Sequence, residues 1–266
     1  MFEKYNVDNL QALIVNYITA GICSYFFLEQ DFSLAIVLNS VWLYHAIIIG
    51  TLFIIVFNFY AYGIQKAGIS ISTVANKMSL IIPVCAALIL YPEKNTFTIL
   101  KGIAFFLAIV GIYLSSTKGG KLSFDKRYLW LIILVFAGQG ISDSIFNDFA
   151  QKFPNEGGYL FFMVLFFMAT VSGILILTGK SFKKKNPLQL KSVFWGIIFG
   201  VPNFFSLVFF LKALGNMESS IVFPLVSMGV VVSSSLIGMF LFQEKLSKRN
   251  WIGILLSLIA IYIFSF

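Results

Sequence analysis

Charge is scarce in this chain. Acidic and basic residues together make up 11% of its 266 residues, where a soluble domain averages about 25%. Histidine occurs once and cysteine twice. One histidine is no metal site and is expected at a membrane interface. Cys23 and Cys85 lie inside apolar runs, with neither a disulfide framework nor a metal-ligand spacing. No Ser/His/Asp grouping, glycine-rich phosphate loop or carboxylate cluster is present, so an enzyme, a metal and a cofactor are not expected. The amino terminus, MFEKYNVDN, lacks the basic start and cleavage pattern of a signal peptide.

Apolar surface is what the chain has. Hydrophobic residues make up 59% of it, with 31 phenylalanines, and the mean hydropathy is +0.92. A soluble core cannot absorb that much apolar surface, so the bilayer is the expected solvent and a partner of the fold. A helical span needs about 20 mostly apolar residues. Nine segments qualify, about 10–28, 43–65, 70–91, 98–116, 128–148, 158–178, 192–213, 218–242 and 251–266. Barrel strands would be shorter and alternating, so the fold class is an all-α polytopic membrane protein of about nine transmembrane helices. The net charge of +8 resides largely in short loops such as TGKSFKKKNPLQLK. That is membrane-protein patterning and does not point to nucleic acid.

The chain also carries an internal repeat. Lys66-Ala67 matches Lys212-Ala213, Glu93-Lys94 matches Glu244-Lys245, and Gly102 matches Gly253. Two units follow, 1–118 with four helices and 125–266 with five. Placing residues 1–13 beneath 149–161 sets Met1 where the sixth helix of a ten-helix protein would end. The first repeat is therefore expected to lack its first helix, through a start set too far downstream or because the protein has nine spans. Five helices per unit would make the units inverted, a common plan for secondary transporters.

These features resemble the drug/metabolite transporter superfamily, specifically its EamA-type members. The resemblance rests on Pro224, the Glu244-Lys245 helix end, and a last helix opening on Trp251 and Gly253. A weaker copy is Pro83, Glu93, Lys94 and Gly102, and VNYITAG (15–21) resembles that family's second helix. It implies two inverted EamA-like repeats (4+5), transport as the function, and cytoplasmic termini. Most of the basic residues, by contrast, fall on the side that would leave the carboxyl terminus outside.

The chemistry is expected in a polar set buried in apolar helices. Gln139, Asp143 and Asn147 recur at i, i+4 and i+8, on one helix face. An ionised Asp in hydrocarbon costs several kcal/mol, so Asp143 should face a cavity or a partner. Lys77, with Thr73 and Ser70 on its face, is the candidate partner. Asn58, Tyr62 and Gln65 form a second stripe. Asn203 and Ser206 follow Pro202, and Asn16 and Tyr17 sit mid-span. The substrate or ion site is thus expected at Asp143, Lys77, Gln139, Asn147, Asn58, Tyr62, Asn203 and Asn16, in a polar cavity between the halves. Interhelical hydrogen bonding is an equal expectation for the amides, and Asp148, nearer the loop, is expected to be solvated. Gly196 and Gly200 (GIIFG) are expected to serve close helix packing.

The functional expectation is a secondary transporter in the cell (inner) membrane. It would move a small polar metabolite or drug-like compound by alternating access, with proton coupling possible and no nucleic-acid partner. The alternatives are a non-transporting membrane subunit or scaffold, or a lipid-linked sugar flippase.

Overall fold

A backbone among apolar side chains must satisfy its own N–H and C=O groups, and a helix does so within one segment. The computed structural model describes residues 7–29, 32–116, 126–154, 156–181, 187–242 and 246–264, excepting the side chains of 69, 70, 116, 126, 180, 181, 238, 241 and 242. Its regular elements there are helical: α1 (Asn9–Phe26), a short α2 (Leu34–Leu38), α3 (Leu43–Lys66), α4 (Ile69–Met78), α5 (Ile81–Leu90), α6 (Ile99–Ser116), α7 (Leu129–Lys152), α8 (Gly158–Ser181), α9 (Leu190–Asn216), α10 (Ser219–Phe242) and α11 (Lys248–Phe264). Among the described residues, six stretches are long and apolar enough to cross a membrane: 43–66, 71–90, 129–152, 158–179, 190–216 and 219–237. Helices α1, α6 and α11, of 17 or 18 residues, fill the remaining expected spans.

The third expected span is broken. It is divided between α4 and α5, with Ser79 and Leu80 forming a turn. Pro83 explains where. It has no N–H to return to the carbonyl of Ser79, four residues back. Leu80 N and Ile82 N instead reach Lys77 O (3.5 Å) and Ser79 O (3.0 Å), a tighter i+3 pattern. By contrast, α9 and α10 run unbroken through Pro202 and Pro224. Upstream, Gly68 at φ +102° turns the chain from α3 into α4, a conformation that a side chain would resist.

Two units emerge from the packing. One comprises Met1–Asn58 and Asp148–Gly215, the other Phe59–Asn147 and Asn216–Phe266. Each therefore draws on both sequence halves, and the boundaries fall within α3 and α7. In the first unit, α1 lies along α8, with Tyr17 stacked on Phe166 at 6.2 Å. The start of α1 is locked to the start of α9. Gln11 Nε2 donates to Pro187 O (3.0 Å), and Gln189 N donates back to Gln11 Oε1 (2.9 Å). Farther along, a Cβ on Gly196 would meet Val15 and Ala12, and one on Gly200 would meet Thr19 and Asn16. The GIIFG pair thus lets the backbones of α1 and α9 approach closely.

In the second unit, α6 and α11 form a comparable seam. Gly111 and Gly253 face each other's backbones, and Asn250 Nδ2 donates to Leu114 O (3.1 Å) and Ser115 O (2.9 Å). The Glu244-Lys245 helix end, most of the basic KSFKKK loop and the Ser70 side chain lie outside the described residues.

Candidate functional site

The polar face of α7 is built as its spacing implies, and it continues onto α4. Within the second unit, Gln139 Nε2 donates to Asp143 Oδ1 at 2.9 Å. Gln139 Oε1 in turn accepts from Asn76 Nδ2 at 3.2 Å. Asn76 directly precedes Lys77, in the last turn of α4 before the break. Lys77 and Asp143 interact electrostatically, although their charged atoms do not form an ion pair within 4 Å among those of the described residues. All four side chains are half-buried. The arrangement is a carboxylate held by an amide, with a cation near enough to feel its charge. Neutralising either partner changes the electrostatic balance of the group.

The remaining expected residues separate. Asn147 is buried, and its Oδ1 accepts from Ser219 Oγ of α10 at 2.6 Å. Asn16 and Asn203 pair with each other in the first unit, Asn203 Nδ2 donating to Asn16 Oδ1 at 2.7 Å. These two contacts join helices, the role weighed for the amides from the start. Asn58 Nδ2 donates to Ile54 O of its own helix (2.9 Å). Tyr62 is 41% exposed, with Lys66 Nζ 5.9 Å from its ring centre. Thr73, expected beside Lys77, meets Tyr60 Oη at 3.1 Å. Asn76 was missed in the site reading because one amide among many has no spacing signal of its own.

A second omission is larger. The histidine expected at an interface, His45 in the first turn of α3, is 1% exposed, and its Nε2 lies 2.8 Å from Asp148 Oδ2. Asp148 also accepts from Lys152 Nζ at 3.0 Å. The expectation of a solvated Asp148 therefore gives way to a carboxylate bridging a buried imidazole and a lysine. Its partner lies 103 residues away in sequence, beyond any periodicity.

A third ionic group closes the start of α10. Lys101 Nζ lies 2.7 Å from Glu218 Oε2, which also accepts from Thr96 N at 2.9 Å. Burial alone would raise the Glu218 carboxyl. The hydrogen bonds from Lys101 and Thr96, with the lysine charge, outweigh it and leave the group below its ordinary value. A lowered folded value means the link stabilises at neutral pH and fades as the pH falls through that value. Glu218→Gln is thus expected to lower the melting temperature at pH 7. The gap to wild type should close only as the pH falls below the usual carboxylate range, where the wild-type carboxyl is itself protonated.

With this geometry in hand, comparison with known proteins is informative. Residues 126–266 match the EamA-like transporter family. An uncharacterised protein of Haemophilus influenzae is 31% identical over 98% of this chain and 89% of its own length. The chain belongs to the EamA-like transporter family. It is accordingly an integral membrane protein of the drug/metabolite transporter type, a transporter or flippase. A 75-residue stretch, 28% of the chain, is 31% identical to the probable 4-amino-4-deoxy-L-arabinose-phosphoundecaprenol flippase subunit ArnE of Proteus mirabilis, covering 66% of that protein. A solved crystal structure superposes with a TM-score of 0.74 at 16% identity, over 97% of this chain and 88% of its own. At that identity the likeness speaks for the fold.

Proposed function

We propose that this EamA-family chain is a secondary transporter of the cell's inner membrane. It moves a small polar metabolite or drug-like compound by alternating access of two inverted repeats. The observation that carries this reading is the Asp143 group. A carboxylate in an apolar helix is expensive, and here it is kept with one amide partner and a lysine close enough to respond to its charge. Substrate polar groups take the place of those contacts, and the change in charge balance favours the next conformation. The break after Met78 belongs to the same reading, because interrupted helices free backbone groups beside transport sites.

The likeness to ArnE favours a second reading, a flippase or flippase subunit for a lipid-linked sugar. Both are tested by ligand-dependent thermal stabilisation of the purified protein. The panel comprises amino acids, sugars, nucleotide sugars, drug-like amines and a polyprenyl-phosphate sugar. Selective stabilisation by a water-soluble compound supports the first reading. Stabilisation by the polyprenyl lipid alone replaces it with the second.

A further inference from the structure

The His45 group is not used by the reading above. Asp148 already accepts from Lys152, as an ionised carboxylate does, and a carboxylate offers His45 only acceptor atoms. The neutral imidazole must therefore carry its hydrogen on Nε2 and donate it to Asp148 Oδ2. That leaves a lone pair on Nδ1, and Nδ1 is buried with no hydrogen-bond partner among the described residues. A buried polar atom without a partner costs about 1–3 kcal/mol. A proton is the smallest species that can bind there.

The surroundings suit the charged ring. The Tyr44 ring lies 4.0 Å from the imidazole, the Phe153 ring stands roughly perpendicular to it at 5.5 Å, and Phe149 stands at 6.0 Å. The face of an aromatic ring attracts a cation within about 6 Å of its centre, more so where water is excluded. Among the described residues, the titratable and charged groups around His45 are Asp148, with its partner Lys152, from α7 and Tyr44 from its own helix. Helix α8 contributes Phe161, stacked on Phe149, which carries no charge.

We propose that His45, oriented by Asp148, is a proton-binding site of this protein, taking up a proton from water at Nδ1 and holding it as imidazolium against the Asp148 carboxylate. As a coupling site for transport it rests on the transporter reading; as a proton site it does not. The pair sits apart in composition from the Asp143 group, sharing none of its side chains. It gives the protein a proton-carrying centre that leaves Asp143 free to answer the substrate.

The test exploits the single histidine. Protein labelled with ¹⁵N-histidine gives one pair of ring-nitrogen signals. The expected result is the Nε2–H tautomer at high pH and one reversible change to imidazolium as the pH is lowered within the range where the protein stays folded. In Asp148→Asn the ring should bind its proton at least tenfold more weakly, whereas Asp143→Asn should leave the transition in place. Circular dichroism confirms that each variant is folded. A ring signal that stays constant through this range in folded protein overturns the proposal. So does an Asp148→Asn variant that titrates as wild type does. The experiment needs no substrate, so its failure is distinct from a failure of the flux measurements.

Discussion

Asp143→Asn is expected to reduce substrate flux in proteoliposomes by about a hundredfold, or about 2.7 kcal/mol, with membrane insertion and helix content unchanged. The substitution is nearly isosteric. The new amide retains an oxygen that accepts from Gln139 Nε2, so the bond now at 2.9 Å survives. What disappears is the negative charge facing Lys77, and a lysine left without its counter-charge in an apolar environment is strongly disfavoured. If the charge balance drives the cycle, the variant holds one conformation. Flux at the wild-type rate would remove Asp143 from the mechanism and leave its contacts as structure.

Phe161→Ala is expected to cost about 3–5 kcal/mol of stability, the range for losing a buried aromatic ring. Phe161 is fully buried at the start of α8. Its ring stacks on Phe149 at 3.5 Å and meets Trp42 edge-on at 5.8 Å. Lipid provides little hydrophobic drive between helices, so packing of this kind supplies much of the cohesion. Truncation leaves a void that Trp42 and Phe149 fill only in part, and their lost contacts are not replaced. Because Phe149 also touches the His45 ring, the void should loosen the imidazole. Thermal unfolding in detergent measures the first effect, and a broadened histidine signal reports the second. A melting temperature equal to wild type would mean that the cluster repacks without loss.

Much of the fold could be read from the apolar runs, since only helices and closed barrels satisfy a backbone in lipid and unbroken runs of this length fit helices. The break after Met78 was harder. Pro83, Pro202 and Pro224 look alike in sequence, yet only the first lies one turn beyond a break. Packing decides whether a proline bends a helix or ends it. Within the site, the Gln139–Asp143 bond was legible because it is local, at i and i+4. Asn16 and Asn203 were both candidates, but only the packing of α1 on α9 pairs them. His45 and Asp148 were individually visible but their contact was missed, because burial of a residue near a helix end depends on its neighbours and not on its position along the span. The family supplied the transport class, and neither spacing nor composition names a substrate.

The most direct test of the central claim is flux through the wild-type chain alone, reconstituted in liposomes and presented with the same panel of labelled compounds. The account predicts saturable movement of at least one water-soluble compound down its gradient, absent from empty liposomes. Folded protein that binds a compound from the panel yet moves none of them would contradict it, and the chain would then be a binding subunit rather than a transporter.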